Sequence, residues 1–121
     1  MSSYGYDASV QDVTLTADGA IAEYVAVVQD GSEQATAAGA GVAILGFAKA
    51  AGSIAMPAAA GEKVTVGVGG TQLARAGAAI ATPGPVEVDA SGYVIPLAAG
   101  VSVGWCLNTA ATDDIVAVII R

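Results

Sequence analysis

The chain has 121 residues and a net charge of −7, and only 12% of its residues are charged, where about 25% is ordinary for a soluble domain. Hydrophobic residues reach 55% but aromatics only 5%, so the apolar content is mostly Ala and Val, with 16 Gly threaded through it. This balance excludes a nucleic-acid or anionic-membrane surface, which needs a basic patch to displace counterions, and the lack of His beside a single Cys106 excludes a Cys/His zinc site and a disulfide within one chain.

Residues 1–12 read as an N-terminal extended arm. Ser2, Ser3, Tyr4, Gly5, Tyr6 and Asp7 show no sustained hydrophobic period, and the first 33 residues hold six acids and no base. Nothing there resembles a secretory leader, which would couple a basic segment to an apolar run. The folded part, 13–121, reads as a single β domain.

Val13 to Thr16 predicts a first strand, turned by Ala17-Asp18-Gly19. Glu23 to Gln29 predicts a second, closed by the turn chemistry of Asp30-Gly31-Ser32. Ala35 to Ala38 has the composition of a helical turn, but Gly39 and Gly41 stop it, and Val42 to Phe47 reads as a strand. Gly52 to Gly61 reads as a loop. The span 37–61 is the one membrane-helix candidate; Lys49 in its middle, Pro57 and its Ala/Gly content argue against insertion.

Glu62 to Val68 alternates, with Val64, Val66 and Val68 on one face and Thr65 and Gly67 on the other. Thr71 to Arg75 predicts a strand, and Val86 to Val88 pairs with Tyr93 to Ile95 across the turn Asp89-Ala90-Ser91-Gly92. Pro83 and Pro85 place the start of that strand at an edge or corner. In Val101 to Asn108, Val101, Val103, Trp105 and Leu107 share one face of a half-buried strand, opposite Ser102, Gly104, Cys106 and Asn108. After a polar turn at Thr112-Asp113-Asp114, Ile115 to Ile120 is apolar throughout, which predicts a central strand covered on both faces.

The two halves, 13–70 and 71–121, read as pseudo-repeats. Ala20-Ile21-Ala22 matches Ala79-Ile80-Ala81, Asp30 matches Asp89, and 44–48 matches 102–106. Glu62-Lys63-Val64 matches Asp113-Asp114-Ile115, with extra residues in the first copy around 53–59. A glycine precedes the aromatic in each copy, Gly46-Phe47 and Gly104-Trp105, which predicts a strand bend beside a large side chain. The fold class is therefore all-β: a small β-barrel or β-sandwich with internal pseudo-duplication.

Catalytic chemistry finds little support. Without His there is no Ser/His triad, and a lysine variant has only Lys49 and Lys63 to draw on. Gly41 to Gly46 has the outer spacing of a phosphate loop, yet Phe47-Ala48 stands where Lys and Ser/Thr are required. Gly39-Ala40-Gly41 starts a dinucleotide pattern that Ile44 ends. Asp113-Asp114 and Glu87/Asp89 lack calcium-loop spacing, and Cys106 has no neighbouring cation to make it reactive. No catalytic, cofactor or metal site is assigned, and the chain is expected not to be an enzyme. The scarcity of charge instead predicts a lasting protein–protein interface.

Leu15 to Ile21, Ala60 to Val66 and Val103 to Val118 carry Leu-Thr-Ala with Gly-Ala-Ile, Ala-Gly-Glu-x-Val-x-Val and Val-Gly-x-x-Leu with Asp-x-Val-x-Val. This succession resembles the short Ala/Gly/Val-rich decoration, or cement, proteins of tailed-bacteriophage heads. The resemblance implies a compact β-fold, made in the host cytoplasm, that forms homotrimers on the outer capsid surface. There it would bind the major capsid protein at threefold or quasi-threefold positions and stabilise the shell by bridging capsomers. It also implies that the arm meets the capsid, with Ser2, Ser3, Tyr4, Gly5, Tyr6 and Asp7 as the contact and both tyrosines on one side of an extended chain. The alternative is a base or domain of a head fibre or carbohydrate-binding spike. Neither reading calls for a cofactor, a nucleic acid or a membrane.

Overall fold

In the computed structural model the described residues are 12–50 and 56–120, and among them there is no helix. Five strands form the first half: β1 (Asp12–Ala17), β2 (Ala26–Gly31), β3 (Gln34–Ala37), β4 (Gly46–Lys49) and β5 (Lys63–Gly67). They close into a barrel in the order β1-β3-β2-β4-β5, with β5 returning to β1. Every neighbouring pair is antiparallel except β1 and β3, which close the barrel in parallel through Thr16↔Gln34 and Ala17↔Ala35. The interior holds Leu15, Ala17, Ile21, Val27, Ala35, Ala48, Ala58, Val64 and Val66. A barrel of five strands has a narrow interior, which Val, Ile and Ala fill and large aromatics would overfill. The aromatic-poor, Ala-rich composition follows from that dimension.

The second half repeats the plan with β6 (Thr71–Arg75), β7 (Gly84–Val88), β8 (Val94–Pro96), β9 (Gly104–Cys106) and β10 (Ile115–Ile120). Its order, β6-β10-β9-β7-β8, is the first half's order opened at one seam. The registers repeat as well. Val27↔Ala37 is answered by Val86↔Pro96, Val27↔Gly46 by Val86↔Gly104, and Leu15↔Val64 by Ala74↔Val116. Even the lone bridges correspond, Ile21↔Ala58 with Ile80↔Ala110. The segments 44–48 and 102–106 therefore feed matching strands.

Several expectations are corrected. Lys63 and Val64 correspond to Ile115 and Val116, one residue later than the sequence match. A slip of one would have turned Ile115 into the core in place of Val116. Residues 35–37 belong to strand β3 rather than to a helical turn, with Ala35 as the small inward side chain beside β2. The strand expected at 42–47 is Gly46–Lys49, and the second strand starts at Ala26 because Tyr24 takes a left-handed backbone, φ 69°. Asp12, assigned to the arm, already pairs with Gly67.

Pro85 sits in β7, between β9 and β8, rather than on an edge strand. It is tolerated because it stands near the start of the strand, where its carbonyl still accepts from Leu97 N at 3.1 Å. Thr65 and Gly67 are buried like Val64 and Val66, so both sides of the alternation in β5 are covered. The expected facing of 101–107 holds at Val103, which is buried in the core, and is inverted from 104 onward. Gly104 and Cys106 point inward while Trp105 and Leu107 point out. A Cβ on Gly104 would lie 2.3 Å from the Ile119 carbonyl, as one on Gly46 would lie 2.1 Å from that of Gly67. The glycine before each aromatic is thus required by the close approach of the next strand.

The halves are joined through the second half's seam. In the first half, Thr16 N donates to Glu33 O at 2.8 Å and shuts the barrel. In the second, the corresponding Arg75 N reaches Tyr24 O at 3.3 Å, and Gly92 O accepts from Ala26 N at 2.9 Å. The first half's chain at 24–26 therefore enters the gap between β6 and β8. Gly92, at φ 81°, leaves no room for a side chain: a Cβ would meet Val25 Cγ1 at 2.7 Å. Phe47 and Ala26 pack into the second half's core cluster.

Candidate interaction surfaces

The outward face of the second sheet is apolar across three adjacent strands. Leu73 on β6 pairs with Ala117 on β10, and Ile119 pairs with Trp105 on β9. Leu107, just past β9, donates its N–H to Ala117 O at 2.9 Å and stays in line. Relative exposure is 49% for Leu73, 46% for Leu107, 41% for Ile115 and 38% for Trp105, with Ala117 and Ile119 half-buried. The strand expected to be covered on both faces is thus central in its sheet but covered on one face only: Val116 and Val118 fill the core while Ile115 stands outside. The sequence did hold a sign of this. In Thr71-Gln72-Leu73-Ala74-Arg75 the inward position is Ala74, which leaves the large Leu73 for the outside.

The rim of this face is polar. Arg75 lies over the Tyr93 ring, 5.5 Å from its centroid, and its Nε is 3.8 Å from Asp113 Oδ1, too long for a hydrogen bond. Asn108 Oδ1 accepts from Ala117 N at 3.0 Å and Asp114 Oδ2 from Ala111 N at 3.0 Å, so the expected turn chemistry ties the β9–β10 hairpin. On β7, Glu87 alternates with the core residues Val86 and Val88 and is buried under the 97–101 loop, its carboxylate accepting from Ala98 N and, at 3.3 Å, from Gly100 N. It holds the 97–101 loop against the first half, where Val101 N donates to Gly41 O at 3.0 Å.

A cleft of about 290 Å³ opens where the halves meet, lined by Glu23, Tyr24, Lys49, Ala50, Thr71, Gln72 and Leu73. Its polar groups are largely committed. Lys49 Nζ is paired with Asp12 Oδ1 at 3.1 Å, and Gln72 Nε2 donates to Gly69 O at 2.8 Å. Glu23 is the carboxylate of the cleft, and no Ser, Cys or His is among the described residues that line it. Leu73 belongs to both cleft and apolar face, so the two are continuous.

At the far end of the first barrel, Asp18 and Asp30 share a hydrogen bond. That bond, then slight desolvation, then the charge of Asp18 hold the Asp30 carboxyl above its ordinary 3.8. In the second half the counterpart of Asp18 is Gly77, and Asp89 is free to cap its own turn through Ser91 N and Tyr93 N at 2.8 and 3.0 Å. Asp113-Asp114 and Glu87/Asp89 stand in turns and loop anchors, and among the described residues no group of three or more His, Cys, Asp or Glu is placed to hold a metal ion. Cys106 is a buried free thiol whose Sγ meets Asn108 O at 3.2 Å. No helix of the described residues is long and apolar enough to cross a membrane. The expected capsid-contact residues Ser2, Ser3, Tyr4, Gly5, Tyr6 and Asp7 lie outside the described residues.

No protein-family model and no curated protein sequence matches the chain. Among solved structures, the fold is similar to the N base of the head fibre protein gp8.5 of bacteriophage phi29, with a TM-score of 0.75 at 14% sequence identity. The match covers 91% of this chain and 92% of that one, so it takes in both halves rather than a single barrel.

Proposed function

We propose that this chain is a structural component of a phage virion, standing on the outside of the capsid as the base of a head fibre. The observation that supports this is the likeness, over nearly the whole of both chains, to a head-fibre base. The charge-poor, acidic composition agrees with a protein that sits against other proteins and away from packaged DNA. In this reading the major capsid protein is the partner beneath it, the Ser2–Asp7 segment contributes to attachment, the assembled form is a homotrimer, and no catalysis is involved.

The sequence resemblance carried by Leu15 to Ile21, Ala60 to Val66 and Val103 to Val118 favours a second reading, a cement protein that bridges capsomers. Removing the protein from purified particles separates the two. A fibre base leaves the shell as heat-resistant as before, with the fibres missing in electron micrographs. A cement protein leaves shells that open at lower temperature. Particles that never contained the chain, by mass spectrometry, would overturn both.

A further inference from the structure

We propose that the outer face of the second sheet, centred on Leu73, Ile115 and Ile119, is where a second copy of this chain packs. This names the self-contact within the homo-oligomer of the preceding reading and rests on that reading only for its biological setting.

The internal duplication supplies the argument, because each residue of this face has a counterpart in the first half. The pair Leu73↔Ala117 corresponds to Thr14↔Thr65, and Arg75↔Ile115 to Thr16↔Lys63. Leu107, bonded to Ala117, corresponds to Lys49, paired with Thr65, and Trp105 to Phe47. Where the first half's outer face is open, at Thr14, Thr16, Lys63 and Lys49, it is polar. Where it is apolar, at Phe47, it is buried in the second half's core cluster. The chain thus handles the same surface in two ways, and the second half follows neither: Leu73, Leu107 and Ile115 are apolar and exposed. A contiguous exposed apolar face rimmed by polar residues, here Arg75, Asn108 and Asp114, marks an interaction site.

Charge selects the occupant. The chain carries −7, yet the face itself, formed by Leu73, Leu107, Ile115, Ala117 and Ile119, has no acid. Two equally acidic copies can approach through it with the least repulsion, whereas an anionic membrane or nucleic acid is repelled by the molecule as a whole. The contact is side-chain packing and not a further insertion of backbone. Pro85 occupies the position of Ala26, whose N–H enters the neighbouring seam, and the first half's own seam is already shut by Thr16 N and Glu33 O.

The test gives the second half the first half's residues, Leu73→Thr, Leu107→Lys and Ile115→Lys together, and measures mass by sedimentation of the purified chain without capsids. All three side chains are exposed, so the variant folds, which circular dichroism checks. The variant is less negative than the parent, so lowered repulsion alone would favour association. The parent is expected to be oligomeric at micromolar concentration, and the variant to dissociate with a constant raised about thirtyfold or more. The control Thr14→Glu, on the first half's corresponding position, should leave the mass unchanged. A parent that stays monomeric at about 200 μM, a variant of unchanged mass, or a control that dissociates as readily would each overturn the proposal. A monomeric parent that binds capsids, with a variant that does not, would also overturn it and assign the face to the capsid, leaving the proposed function standing.

Discussion

Two barrels built on one strand order meet different fates in this molecule. The first is closed by the parallel β1–β3 pairing and sends an aromatic, Phe47, out of its wall into its neighbour. The second keeps a seam, bridged at Ala76↔Val94 and filled by the chain at 24–26, and sends the matching aromatic, Trp105, towards solvent. Barrel topology is thus indifferent to what the outer face carries. Inward apolar side chains are held by the narrow interiors to Ala, Val, Ile, a Leu in the first copy and a Cys in the second, while outward positions are free to diverge into an internal joint in one half and an open apolar surface in the other.

The largest effect should come from removing the buried aromatic. Phe47→Ala empties space between the halves and should cost about 3–5 kcal/mol in urea unfolding, enough to consume much of a small domain's stability. Trp105→Ala, measured at concentrations too low for self-association, should cost less, about 1–2 kcal/mol, because part of its side chain is already in water. Equal costs would mean that the two aromatics are not in contrasting environments.

The seam comes next. Gly92 corresponds to Glu33, and Gly92→Glu would ask a left-handed backbone and a crowded site to hold a side chain. A loss of about 1–3 kcal/mol is expected, together with faster amide exchange at Ala26. The reverse change, Glu33→Gly, should be neutral or slightly stabilising because Glu33 already adopts φ 58° in the open.

A smaller loss is expected for Glu87→Gln, at about 1 kcal/mol, since both backbone donors address the same oxygen, Oε2, and would meet a neutral amide oxygen there, a weaker acceptor than a carboxylate. Val28, its counterpart, anchors no loop, and Val28→Thr should leave the 97–101 segment untouched by hydrogen exchange.

The smallest effect concerns the carboxyl pair, and its sign follows from linkage. Because the folded state raises Asp30 above 3.8, the protonated form is favoured there. That contribution is fully present below the unfolded pKa and is lost as pH rises through the raised value. Asp18→Asn removes the repulsion, so it should raise Tm slightly at about pH 7 and leave it unchanged at about pH 3. A gain at acid pH instead would show that the pair is not what limits stability there.

How far the sequence could be followed depended on side-chain size. Short motifs such as Ala20-Ile21-Ala22 and Ala79-Ile80-Ala81 revealed the duplication because both copies bury the same Ile on the same kind of bridge. The alternation at 101–107 misled beyond Val103 because the rule that large apolar residues face inward fails where the neighbouring strands leave room only for Gly104 and Cys106. The match of Lys63-Val64 to Asp114-Ile115 failed by one residue for a related reason. In a strand that is apolar throughout, Ile115 to Ile120, the pattern contains nothing to choose between the two faces.

By itself the sequence determined the all-β class, the pseudo-repeat and the turn positions. These rest on local properties: turn residues with their own backbone bonds, and short β-branched runs interrupted by Gly. Tertiary structure alone decided which barrel closes, which glycine must accept a neighbour's backbone, and which of the two corresponding aromatics, Phe47 and Trp105, is buried. Those outcomes arise where Ala26 meets Gly92 and Phe47 meets the second core, contacts between residues far apart in sequence whose geometry no local pattern encodes.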